Sequence, residues 1–165
     1  MNKIFSDFLR QFKTFFNSCE TGFRNEFIIQ LYARIYNPGK TIQHALREPE
    51  EVVLIQSGMV DLYSKKSHKF MQLPPHSMFN DYQIMFGLKS NINFKSWSPT
   101  FVNDQQISQP EFKTRTMNLD AEIFKDLLEL YPETAKNLKL RALEKRSIFI
   151  YYKNKADTQR SKDKG

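Results

Sequence analysis

The chain has 165 residues, 40% of them hydrophobic and 14% aromatic, with a net charge of +7. That is enough apolar material for one domain with a real core and excludes a disordered profile. Its single cysteine, Cys19, excludes an internal disulfide, and no run nears the roughly 18 apolar residues of a membrane span.

The charge is uneven. From Lys145 to Gly165, seven basic residues stand against Asp157 and Asp163, while the rest of the chain carries 18 basic and 16 acidic groups. The basic character therefore belongs to the C-terminal end, read as a basic flexible tail over 153–165. A nucleic-acid reader would place basic and aromatic residues together on its folded part, and no such face is present. Nucleic acid is not an expected partner. A membrane is expected only indirectly or through the tail.

In chain order, residues 4–16 space Phe5, Phe8, Phe12 and Phe15 as one stripe of an amphipathic helix. A membrane-surface or partner-docking helix is one reading. Packing on its own domain or a sister subunit is preferred, because the polar face mixes charges. Asp7, Arg10 and Lys13 interrupt its apolar residues, so it is not read as a signal peptide. With its neighbours it forms a linker-like segment over 1–20. A second helix is expected from Phe23 to Ile35, with Phe27, Ile28, Leu31 and Ile35 inward, stopped by Asn37, Pro38 and Gly39.

Short strands follow: Thr41–Ile42, then EVVLIQ, then MVDLYSK after a turn at Gly58, then Phe70 to Leu73 before Pro74 and Pro75. Residues 97–113 turn polar and read as an insertion. Asn118 or Asp120 can cap a helix carrying Ile123, Phe124, Leu127 and Leu128. Pro132 suits the first turn of a final helix, with Ala135, Leu138, Ala142, Phe149 and Tyr152 on one face. The class is α+β: an antiparallel β-roll or jelly-roll-like barrel, spanning 21–152, flanked by N-terminal helices and two C-terminal helices.

Catalysis is not expected. His44, His68 and His76 are scattered, Cys19 has no evident base beside it, and no phosphate-cradling glycine loop or nucleophile elbow occurs. Glu48, Glu50 and Glu51 read as a solvated loop edge. No metal or cofactor is implied.

Four stretches in order carry a resemblance: YNPGKTI, VVLIQSGMVDLY, LPPHSMFND and AEIFKDLLELYPETAKNL. Together they resemble the cyclic nucleotide-binding domain family. The helical N-terminus and the LKLRALEKRSIF run look most like the versions attached to voltage-gated cation and potassium channels. Heavy use of Phe, Asn and Lys would suit a protist with an AT-rich genome. The resemblance implies a regulatory domain on the cytoplasmic side of a membrane, or in the cytoplasm, within a channel or larger assembly, tetrameric by analogy.

In that family a phosphate-binding cassette runs Phe-Gly-Glu, a short helix, then Arg and a small hydroxyl residue. Laid on this chain, Phe79 matches, Gly becomes Asn80 and Glu becomes Asp81. YQIMF supplies the helix, and the arginine position falls on Ser90, after Lys89 and before Asn91. Asn tolerates positive φ, so the turn survives. The absent guanidinium matters more, because truncating one partner of a buried charge pair costs about 2–5 kcal/mol. The cassette is therefore read as degenerate, with cAMP or cGMP at most a weak ligand. Lys145 or Arg146 falls where the family's lid helix meets the purine. Ile148–Tyr152 either fills the pocket, as in ether-à-go-go-type channels, or extends the final helix; the second is preferred. A ligand-free interaction or assembly module that keeps the fold is the alternative function.

Overall fold

The computed structural model describes residues 3–99 and 112–163. Most of the expected insertion, with its Asn-Asp-Gln-Gln run, lies outside them. Helices α1 (Lys3–Gln11), α2 (Lys13–Phe16) and α3 (Thr21–Ile29) precede strands β1 (Tyr32–Tyr36), β2 (Thr41–Gln43), β3 (Glu51–Ser57), β4 (Val60–Ser64), β5 (Lys69–Leu73) and β6 (Met78–Phe79). The short α4 (Asp81–Met85) leads into β7 (Ile92–Ser96) and β8 (Thr114–Asp120), and α5 (Ala121–Leu130) and α6 (Pro132–Asp163) close the chain.

The strands form two antiparallel four-stranded sheets, β1-β8-β3-β6 and β2-β7-β4-β5. The architecture is the β-roll with flanking helices that the sequence predicts. Strand β3 shows how the roll is built. Its successive side chains point to opposite faces, so Val52 and Leu54 join a helical cluster with Phe23, Phe27, Leu119 and Phe124. Val53 and Ile55 join an inner cluster with Leu62, Phe79, Ile92 and Phe94. Phe79 and Phe94 stack nearly parallel in that inner cluster, centroids 4.4 Å apart. Gly58 turns β3 into β4 at φ +82, where a Cβ would lie 2.7 Å from Thr114 Oγ1.

Several expectations need correction. The N-terminal helix breaks at Phe12 (φ −107, ψ 34). The fully buried stripe becomes Phe8, Phe12 and Phe16, with Phe5 and Phe15 half-buried. The second helix ends at Ile29, not Ile35. YARIY is instead β1, paired from Tyr32↔Asn118 to Tyr36↔Thr114, and Ile35 is exposed. β-branched and aromatic residues suit that edge position, and the pairing with β8 supplies the backbone hydrogen bonds a helix would have made.

Asp120, not Asn118, caps α5: its carboxylate accepts from the Glu122 and Ile123 amides. Pro132 opens α6 as expected. Tyr152 does not share the buried face of α6, because the stripe Ala135, Leu138, Ala142 and Phe149 continues instead to the half-buried Ala156. The segment expected as a flexible tail from 153 continues α6 to Asp163. It is tied back to the roll: Ser64 Oγ donates to Asp157 (2.7 Å), whose carboxylate also lies 2.8 Å from His68 Nδ1.

Candidate functional site

The site grows out of the turn after β6. Asn80 sits in the left-handed region, φ 70, at the start of α4. Asparagine adopts this conformation at low cost. Its side chain does not cap α4. The amide Nδ2 donates to Gln43 Oε1 (3.1 Å) and the Glu51 carbonyl (3.2 Å), pinning the turn to β2 and β3.

That turn delivers Asp81 beneath α6. Its carboxylate is buried and receives Lys145 Nζ at 3.0 and 3.1 Å, while Nζ also donates to the Met78 carbonyl at 2.6 Å. An ammonium has three donors, and all of Lys145's acceptors come from the Met78–Asp81 turn. Both Asp81 oxygens are thus engaged by the chain's own last helix. One turn further on, Phe149 meets Tyr82 edge to face, centroids 6.1 Å apart. Both are buried. Burial, helped by the Asp81 charge and opposed by Arg146, pushes the Tyr82 hydroxyl up to about 12.

Ser90, at the family's arginine position, turns inward. Its Oγ donates to the Ile92 carbonyl (2.7 Å), its amide to the Arg47 carbonyl, and its own carbonyl accepts from Leu46. Its polar groups are satisfied within the loop. The structure therefore gathers Phe79, Asn80, Asp81, Ser90 and Lys145 around α4. It leaves Lys89 and Arg146 exposed and Asn91 half-buried at the start of β7. Of Ile148–Tyr152, all helical, only Phe149 is fully buried, so the segment extends the helix and one ring plugs it against Tyr82.

Sequence reasoning missed Gln43 and Glu51 as partners of the turn. Glu51 was expected on a solvated edge. It lies in β3, where Arg34 donates to its carboxylate at 3.1 and 2.5 Å and Asn118 Nδ2 donates as well. Burial opposes its ionisation, but the bonds from Arg34, Asn118 and Tyr32 outweigh this and hold its carboxyl below the usual range. A polar cavity of about 330 Å³ borders these groups, and its Arg34 is already engaged by Glu51.

Cys19 is buried, and that burial pushes its thiol up to about 12, which keeps it from acting as a thiolate. Among the described residues, no group of three or more metal-ligating side chains gathers, and no helix is long and apolar enough to cross a membrane.

No family model and no curated protein matches this chain. Solved structures do. The regulatory domain of Toxoplasma gondii PKA, crystallised with cAMP, superposes with TM-score 0.66 at 12% identity, covering 86% of this chain and 49% of that one. The regulatory subunit of a cAMP-independent protein kinase A from Trypanosoma brucei gives 0.61 at 13%, covering 82% and 47%. The chain spans about half the length of these structures. At such identities the likeness is one of architecture: this chain carries the β-roll fold of cyclic nucleotide-binding regulatory domains.

Proposed function

We propose that this chain is a non-catalytic regulatory module of the cyclic nucleotide-binding type whose nucleotide seat is closed by its own last helix. It binds cAMP and cGMP very weakly or not at all. One observation carries this reading: Lys145 engages both oxygens of Asp81, the carboxylate a ribose hydroxyl would need. The serine at the family's arginine position supports it, since its hydroxyl is spent on the Ile92 carbonyl and Ser90 itself offers no guanidinium. A point charge on a flexible stem does not reproduce that planar fork. The two solved structures illustrate why the fold alone does not decide, one being described with cAMP and the other as cAMP-independent.

The setting we infer is a larger assembly. Attachment to a cation or potassium channel, on the cytoplasmic face of a membrane, is the specific form suggested by the helices before and after the roll. In either setting α6 would report to its partners by its position on the roll, without waiting for a nucleotide. Calorimetric titration with cAMP and cGMP tests the reading. Absence of saturable heat at millimolar ligand is expected; micromolar binding would contradict it.

A further inference from the structure

A cavity of about 300 Å³ lies in the seam between the two core clusters, where α2, the β5–β6 turn and α6 meet. Phe12 and Phe15 reach it from the helical cluster, Leu73 of β5 and Phe149 of α6 from the inner cluster. Of the cassette residues, Asp81 and Met85 line it, while Phe79, Asn80 and Ser90 do not.

The charges around this cavity do not cancel. Asp81 is matched by Lys145. Arg141 donates to the Thr14 carbonyl and joins no carboxylate in an ion pair among the described residues. Gln11, Thr14 and Ser77 are neutral, and His76 meets Phe12 edge to face. The lining is thus largely apolar with one uncompensated guanidinium. An apolar cavity of about 150 Å³ holds benzene, so one of roughly twice that volume admits two fused rings or a medium-length alkyl chain.

We propose that this seam binds a small amphipathic organic anion. Its fused-ring or alkyl body lies among Phe12, Phe15, Leu73 and Phe149, and its carboxylate or sulfonate head meets Arg141. Such a ligand touches α2 and α6 at once, so it binds the docked arrangement of α6 better than a detached one and shifts the population toward it. The site rests on the docked α6 that also closes the nucleotide seat, but it uses neither the phosphate position nor the stacked Phe79.

The experiment is a calorimetric and amide-NMR titration of the whole chain with 2-naphthoate and with its uncharged isostere 2-naphthamide. Hydrogen bonds to charged groups predict that naphthoate binds about ten-fold or more tightly than the amide, with shifts at Thr14 and Arg141. Arg141→Gln, at an exposed position, should lower naphthoate affinity to that of the amide, and Thr14→Trp should abolish both. Binding of neither compound at millimolar concentration would overturn the proposal. So would equal binding of the two, or naphthoate affinity unchanged in either variant. Saturable cAMP binding by the same protein would count against the closed seat and leave this site standing.

Discussion

Lys145 and Asp81 form a pair in which the carboxylate is buried and the ammonium is 27% exposed. Removing one partner of a fully buried pair costs about 3–5 kcal/mol. The partial exposure of Lys145 lowers the expectation for Lys145→Ala to about 2 kcal/mol, read as a shift in the urea midpoint. Lys145→Met combined with Asp81→Asn removes both charges and should unfold within about 1 kcal/mol of the native chain. If the single variant is as stable as the double, the pair holds nothing in place. At Ser90 the inward side chain changes what a restored arginine would achieve. Ser90→Arg alone is expected to gain no measurable cAMP affinity, since Lys145 still covers Asp81. Ser90→Arg with Lys145→Ala is expected to bind where neither single variant does. Calorimetry decides, and binding by Ser90→Arg alone would mean that the lid is not the obstacle.

Helix α6 is fastened at Lys145 and, further out, at Asp157, so its outer half has its own pH dependence. Burial tends to raise the Asp157 pKa, but bonds from Ser64 and His68 prevail and lower it. A depressed folded-state pKa contributes stability that is complete above the ordinary carboxylate value and is lost as pH falls through the folded value. The end of α6 should therefore loosen only below about pH 4, with amide exchange rising first around Asp157. Loosening already at pH 6 would contradict that assignment. The β3–β4 hairpin gives a second test. Gly58→Ala places a Cβ against Thr114 at positive φ and should cost about 1–3 kcal/mol. That hairpin, the Asp120 cap and the Pro132 start were legible because each is local chemistry: a turn glycine, a side-chain acceptor, a missing N–H. Strand β1 was not. Its partner β8 lies some eighty residues away, its outward side chains show no apolar period, and Leu31 and Ile35 fall at a helical spacing. The changed cassette positions Asn80, Asp81 and Ser90 were legible in the sequence. Their link to the last helix was only half visible, since Asp81 and Lys145 were both marked but not as partners, and the Met78 carbonyl that Lys145 also reaches was not marked at all. Composition likewise made the end of α6 look like a loose tail, because charge counts do not show Asp157 meeting Ser64.

At the scale of the molecule, one strand divides two cores. β3 sends Val52 and Leu54 to the helices and Val53 and Ile55 into the roll, so disturbance of either cluster is felt by the other. Phe94→Ala, which removes half of the stacked pair, should cost about 3–5 kcal/mol in a single cooperative transition; two separate transitions would show that the clusters fold independently. The docked α6 is the feature on which the functional reading depends. Spin labels at Lys65, beside the β4–β5 turn, and at Gln159, on the outer part of α6, measure that docking directly by their dipolar distance. One narrow distance is expected without nucleotide, unchanged by millimolar cAMP or cGMP. A broad, longer distribution that contracts when either nucleotide is added would contradict the account.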